Sequence, residues 1–271
     1  MSILQAIILG LVQGLTEFLP VSSSGHLVLT QTIMNLDTGS PEFLFVDTML
    51  HVGTLVAIIY VLRKEIMGIF RNPTGKLLRM LVVATLPTVV IALVFKDVFM
   101  SSFEGDFLGI SFLITGGILI LAEFLAKRGP KRKFAQANYL DAAIMGVMQG
   151  IAIVPGISRS GSTLSGGLAR GINRYSAAKF AFLMAIPAIL GSLVLQVKDL
   201  FSIHTAISIP WVPVLIGTVA AAISGMWAAT WMLKLIRKHR LYGFSIYVII
   251  LGVLVLMDQL VFHAFFNTPF V

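Results

Sequence analysis

The sequence predicts an all-α polytopic membrane protein with six transmembrane helices and two re-entrant helical hairpins, arranged as an inverted-topology repeat. Three observations predict this. Of the 271 residues, 57% are hydrophobic and 12% charged, against about 25% charged in an ordinary soluble domain, and the mean hydropathy is +0.94. Apolar runs of membrane-crossing length recur along the chain. A Ser- and Gly-rich break appears twice, half a chain apart.

The first element, about residues 3–35, is apolar but interrupted by Pro20-Val21-Ser22-Ser23-Ser24-Gly25-His26. Pro and Gly end helices and Ser caps new ones, so it reads as helix, loop, helix. Residues 3–20 could also span alone, because 1–62 hold no Lys or Arg to decide the matter. The run is not a signal peptide by its pattern: it lacks a basic start and an A-x-A site, and it carries Gln13 and Glu17. Three runs follow, at about 44–62, 80–96 and 107–126, each long enough for a roughly 30 Å hydrocarbon core. The second broken region, about 139–172, is interrupted by Pro155-Gly156-Ile157-Ser158-Arg159-Ser160-Gly161-Ser162-Thr163. Runs at about 176–197, 211–233 and 243–262 complete the chain.

Orientation follows from the cations. Segments 63–79, 127–138, 170–179 and 234–240 hold 17 of the 20 Lys and Arg residues. Crossing once per span puts all four on one side, the cytoplasm, with both termini outside. The opposite loops carry Lys96 and Lys198 beside Asp97, Glu104, Asp106 and Asp199. The net charge of +8 is therefore loop charge rather than one patch, and no nucleic-acid partner is expected. With no cysteine, disulfides and thiolate metal sites are excluded.

The broken regions align at an offset of 136 residues. Gln13-Gly14-Leu15 matches Gln149-Gly150-Ile151, and Val21-Ser22-x-Ser24-Gly25 matches Ile157-Ser158-x-Ser160-Gly161. Downstream, Gly53-Thr54-Leu55-Val56 matches Gly191-Ser192-Leu193-Val194 with slight drift. The chain thus divides into units 1–135 and 136–271, each a hairpin and three spans. Three is odd, so the second unit enters from the opposite face and the hairpin tips can meet near the midplane. Irregular backbone at that depth must be buried in protein or line a wet cavity.

Glu17 and Arg159 are the most informative residues, since a charge at the bilayer centre costs about 2.5–3.5 kcal/mol on insertion scales. They either pair and hold the hairpins together, or act on a ligand, with Arg159 offering a planar fork of donors to phosphate. Glu17 would then be a base or a metal ligand. Ser22, Ser23, Ser24 and Gly25 precede one half-helix. Ser158, Ser160, Gly161, Ser162 and Thr163 precede or open the other. Helix starts favour anions. One such loop is ordinary capping; two matched loops, one with an arginine, point to an anion site. Ser23 and His26 are three apart and share a helix face, so His26 could activate Ser23 or protonate a leaving oxygen. Asp47 and His51, at i and i+4, could reach the same cavity or bind a cation. Glu123, Asp141 and Asp258 fall near span ends, where they would be interfacial. From these residues alone the reading stops at an anion site, with a transporter as the first guess.

The stretch Gln13-Gly14-Leu15-Thr16-Glu17-Phe18-Leu19-Pro20-Val21-Ser22-Ser23-Ser24-Gly25-His26 closely resembles the first signature of the bacterial undecaprenyl-diphosphate phosphatases, a family linked to bacitracin resistance. Pro155-Gly156-Ile157-Ser158-Arg159-Ser160-Gly161 resembles the second, and length and span count agree. The resemblance implies hydrolysis of a polyprenyl diphosphate lipid to the monophosphate, recycling the carrier for peptidoglycan. It also implies a bacterial cell-membrane location and a site opening outward. A divalent cation, Mg2+ or Ca2+, is implied. Gln13 occupies a place that is Glu or Gln in the family, so this chain brings one carboxylate, Glu17. By resemblance Arg159 clamps the diphosphate beside Ser158, Ser160 and Thr163, and Ser23 is the candidate nucleophile. His26 serves as acid/base, and Glu17 binds the cation or orients water or the nucleophile. A transporter or lipid flippase and a membrane scaffold remain as rival readings, and a homodimer is left open.

Overall fold

The computed structural model describes residues 1–36, 40–95, 107–127, 132–202 and 209–266. The helices are α1 (Ile3–Glu17), α2 (Ser23–Ile33), α3 (Pro41–Val61), α4 (Arg63–Arg71), α5 (Lys76–Val94) and α6 (Leu108–Ala126). They continue with α7 (Tyr139–Ile151), α8 (Arg159–Ala169), α9 (Arg174–Ser202), α10 (Trp211–Leu235) and α11 (Tyr242–Met257). A π-turn, Asp258–Phe262, extends α11. Among the described residues the only extended pairing is an isolated bridge between Arg132 and Ile172.

Six helices are long and apolar enough to cross a membrane: α3, α5, α6, α9, α10 and α11 with its extension. Their limits fall within a few residues of the runs expected from sequence. At 15 residues, α1 is roughly 22 Å long, short of a full crossing; α7, at 13 residues, is shorter. Each begins with a capping box, Ser2 with Gln5 and Asn138 with Asp141, which satisfies two orphan N–H groups at once. α2 and α8 are both 11 residues long. Lys96, Asp97, Glu104, Asp106, Arg128 and Lys131 lie outside the described residues.

Glycine lets the short helices sit against the long ones. α1 packs on α10, and α7 packs on α5. A Cβ on Gly10 would fall 2.3 Å from the Gly217 carbonyl oxygen, and one on Gly146 would fall 2.0 Å from that of Ala84. Hydroxyls of the long helices cross these contacts: Ser224 Oγ donates to the Gly10 carbonyl at 3.4 Å, and Thr88 Oγ1 to that of Gly146 at 2.9 Å. α6 and α11 pair antiparallel, with Gly109 against Leu256 and Gly116 against Ile249. Phe18, Ile58, Met80, Leu119, Met145 and Phe180 are among the buried side chains of the main core. Val56, Leu86, Val90, Leu121 and Leu254 face outward, as lipid-facing positions do.

The basic end differs from expectation in two ways. Segment 63–79 contains a helix, α4, whose residues carry Arg63, Lys64 and Arg71. Glu123 and Asp141 lie near span ends as expected, but their side chains are enclosed by protein rather than open to water. Glu123 pairs with Arg174 and accepts the Leu241 N–H. Asp141 pairs with Arg132 at 3.1 Å and Arg170 at 2.8 Å. A buried carboxylate is tolerable only when paired and hydrogen-bonded, so these two tie the turns at this end together. Asp258 instead accepts from the backbone N–H groups of Ala264, Phe265 and Phe266.

Replacing Gly146 by Val should force α7 off α5 and cost about 1–3 kcal/mol or more, seen as a lower thermal unfolding temperature in detergent. Gly117→Ala, where a Cβ meets nothing within 4 Å, should leave that temperature unchanged or slightly raised.

Candidate active site

The site is where the loop between α1 and α2 meets the loop between α7 and α8. Gly25 and Gly156 are in near contact: a Cβ on Gly25 would lie 3.0 Å from the Gly156 Cα. Gly156 has φ +89°, a left-handed conformation only glycine adopts freely, and a Cβ there would strike Ser111. Ser160 Oγ donates to the Leu19 carbonyl at 2.7 Å, fastening the second loop to the first.

Each second helix opens on a serine cap. Ser22 Oγ accepts the Gly25 N–H and Ser158 Oγ accepts that of Gly161, satisfying one first-turn donor each. In both loops the cap hydroxyl also lies 3.3 Å from the serine two residues on, Ser24 or Ser160. Ser22 is held at φ +73°, which costs of order 1–3 kcal/mol for a residue with a Cβ. Its carbonyl accepts from both the backbone N–H and the Nδ1–H of His26, at 3.2 and 2.7 Å. Those two bonds and the cap hold the strained turn, and so aim Ser23.

Glu17, the last residue of α1, is the hub. Its Oε1 receives the Arg159 guanidinium. Its Oε2 accepts Ser23 Oγ–H at 2.5 Å and Gln13 Nε2–H at 3.0 Å. The Glu17 side chain is 1% exposed and that of Arg159 24%, so the carboxylate is enclosed while the guanidinium keeps an open edge. Gln13, one turn earlier, also reaches Thr54 Oγ1 on α3 at 3.5 Å, and its Oε1 is buried with no partner.

His26 is turned to other neighbours. With Nδ1–H given to the Ser22 carbonyl, Nε2 accepts from the Tyr247 hydroxyl at 2.7 Å. Its ring stacks on that of Tyr247 and meets Phe112 edge-on. The group touching the Ser23 hydroxyl is thus Glu17. Asp47 accepts from Gln31 at 2.8 Å, and the Asp47 carbonyl accepts His51 Nδ1–H. His51 lies within electrostatic reach of Glu17, so α3 borders the site. Thr163 is fully buried and donates to the Arg159 carbonyl. Ser158 is also buried, which leaves Ser23, Ser24 and Ser160 as the half-buried hydroxyls.

Three partners escaped sequence reasoning. Tyr247 falls within an apolar run, and although it is 47% exposed its hydroxyl takes a partner in His26. Thr115 Oγ1 donates to the Gly156 carbonyl at 2.8 Å and accepts the Ser158 N–H at 3.0 Å, fixing the second loop to α6. Thr54 supports Gln13. Each was a lone polar residue inside an apolar run, which is the available signal.

Among the described residues, no three His, Asp or Glu side chains group as metal ligands. Mg2+ in particular usually binds one or two carboxylates together with substrate phosphates. Glu17, the orphan Gln13 Oε1 and the Ser23 hydroxyl fit a cation of that kind, one that shares its shell with a diphosphate.

The chain matches the family model described as bacitracin resistance protein BacA over residues 6–254. It is 48% identical over 261 residues to a protein of Carboxydothermus hydrogenoformans named undecaprenyl-diphosphatase, covering 96% of this chain and 98% of the relative. It is 44% identical over 260 residues to undecaprenyl-diphosphatase 3 of Bacillus cereus, with the same coverage. It is 42% identical over 281 residues to the undecaprenyl-diphosphatase of Alkaliphilus metalliredigens, covering 96% of this chain and all of the relative. The chain, with six helices among its described residues long and apolar enough to cross a membrane and two serine loops that close on one glutamate–arginine pair, belongs to the bacitracin resistance protein BacA family.

Proposed function

We propose that this chain hydrolyses undecaprenyl diphosphate to undecaprenyl phosphate and inorganic phosphate, recycling the lipid carrier of peptidoglycan synthesis. One observation carries the reading: an unbroken line of contacts from the Ser23 hydroxyl through the Glu17 carboxylate to the Arg159 guanidinium. The activity named for its relatives supports it.

Ser23 Oγ attacks the terminal phosphorus, and its proton passes to Glu17 Oε2, to which it already donates. The bond to the bridging oxygen breaks, and its electron pair leaves with undecaprenyl phosphate. Water then cleaves the phosphoserine, freeing phosphate and Ser23. The leaving group is a phosphate ester, whose second pKa is about 6, so it departs as a stable anion with little need of a strong acid. Charge stabilisation and positioning are the larger demands. The open edge of Arg159 meets the first, with Ser24 as a neighbouring donor, while Ser160 spends its hydroxyl proton on the Leu19 carbonyl. Ser22, Ser158, Gly25, Gly161 and Thr163 hold the loops in shape. His26 serves as an acid toward the leaving oxygen only as the imidazolium, with Nε2 protonated and released from Tyr247. A divalent cation, Mg2+ or Ca2+, would be held by Glu17, Gln13 and Ser23 with the diphosphate, and supplies neutralising charge there.

The chain comprises two units, 1–135 and 136–271, each a re-entrant hairpin and three spans, the second inverted. Three correspondences at the same 136-residue offset support this: the capping boxes, the paired serines, and the hydroxyl contacts Ser224 to Gly10 and Thr88 to Gly146. The basic end faces the cytoplasm of a bacterial cell, the termini lie outside, and the site opens outward, by the rule that cytoplasmic loops are cation-rich. The prenyl tail lies between spans. Every residue of the scheme comes from one chain, so the chemistry needs no partner subunit. The crossed packing of the two units also favours a second reading, movement of a phosphorylated lipid or small anion.

Purified protein in detergent should release phosphate from a C15 or C55 prenyl diphosphate. Chelation should stop this, and Mg2+ or Ca2+ should restore it. Arg159→Ala and Glu17→Gln should each lower the rate about 10²-fold or more. Transport into liposomes with no phosphate release would sink the hydrolase. Arg159→Met alone should also cost about 3–5 kcal/mol of stability by leaving Glu17 unpaired. The double change Glu17→Gln, Arg159→Met should recover most of that in thermal unfolding while staying inactive; a double variant with full activity would reduce the pair to scaffold.

A further inference from the structure

We infer that the basic end of the molecule carries a second binding site, for the phosphate head group of an anionic phospholipid whose chains lie in the adjoining groove. A cavity of about 570 Å3 opens there between the end of α6, the α8–α9 turn and the α10–α11 turn. Lys127, Arg174, Arg237, Lys238, His239 and Arg240 line it, and no carboxylate does.

Loop sidedness alone would put cations at this end, but it would leave them to fan out into water. Here they surround one hollow and several are fixed. The Arg237 guanidinium lies 3.9 Å from the centre of the Tyr175 ring, and Lys127 Nζ lies 5.7 Å from that of Tyr242. Arg174 is held by both oxygens of Glu123. Glu123 is fully buried and also accepts the Leu241 N–H, so it is committed to Arg174 beneath the cavity and leaves the other four permanent cations of the lining uncompensated by any carboxylate of that lining. A guanidinium stacked by its face keeps its N–H edge for a phosphate. Basic pockets between membrane helices at the cytoplasmic side bind phospholipid head groups for this reason.

The second observation selects a lipid over a free ion. A groove of about 600 Å3 adjoins the cavity and shares His239 and Arg240 with it. From there it runs past Leu235, Trp231 and Phe244 to Leu19, Val21 and Tyr247. A phosphate seated among the cations would direct an acyl chain along these apolar walls toward the middle of the bundle. Inorganic phosphate would use only the cavity. Glu17, Ser23 and Arg159 line neither space; the far end of the groove reaches Tyr247, the partner of His26, but the cation-lined cavity does not, so the head-group site stands whether or not the chain is a phosphatase.

The test uses the full chain in neutral maltoside micelles, with dioleoylphosphatidylglycerol as probe and native mass spectrometry as readout. Wild type should bind it at least tenfold more tightly than dioleoylphosphatidylcholine, and tenfold more tightly than Arg237→Gln, Arg240→Gln does. Lys127→Gln with Lys238→Gln, which leaves the stacked arginine in place, should lose at least threefold. Gly243→Leu should also weaken phosphatidylglycerol: Gly243 lines the groove, and a Cβ there meets nothing within 4 Å. Each variant is first matched to wild type in elution volume and thermal unfolding. Equal binding by wild type and both cation variants would overturn the site. Inorganic phosphate competing at equal concentration, with Gly243→Leu silent, would overturn the lipid assignment in favour of free phosphate.

Discussion

The contact on which the structure depends is the one between Glu17 and Arg159. Each residue ends or opens a short helix, and each would be costly to bury alone. Together they neutralise one another and join the two loops. A buried pair of this kind is weak evidence of stability, because desolvation offsets much of the attraction. What the pair fixes is position. With one carboxylate oxygen committed to the guanidinium, the other is left to accept from Ser23 and Gln13.

The surroundings of that pair are built from small residues and backbone bonds rather than from long side chains. Gly25 and Gly156 let the two loops touch. Ser22 accepts an unfavourable backbone conformation, and its carbonyl is occupied twice by the same histidine. Thr115 and Leu19 hold the second loop from either side. Rigid loops of this kind suit phosphoryl chemistry, where the protein's contribution is mostly positioning and fixed charge.

Much of this was legible in the residues. Six apolar runs gave six spanning helices because burial in lipid leaves so little freedom in length and composition. Glu17 and Arg159 stood out because a charge in an apolar run needs a partner, and the repeated Ser–x–Ser–Gly pattern identified the loops that bring them together. The partner of His26 was less accessible. Residues three apart on a helix pointed toward Ser23, whereas the ring turns to Tyr247, more than two hundred residues away; that choice depends on how α11 packs, which local spacing does not contain. The enclosure of Glu123 and Asp141 is hidden for a related reason. Nearness to a span end suggests water, but arginines from other turns cover both. The helix in segment 63–79 is masked by its density of charge, which marks a side of the membrane but not a backbone conformation.

The crossed packing of the short helices bears on how the protein is made. α1 seats on α10, whose residues follow it by roughly two hundred positions. At about 5–20 residues per second, α1 leaves the ribosome some 10–40 s before its final neighbour exists. During that interval its glycine face lacks α10, and Glu17, though it can already accept from Gln13 and Ser23, lacks Arg159. The first half of the chain therefore cannot reach its final packing until the later helices arrive to receive it.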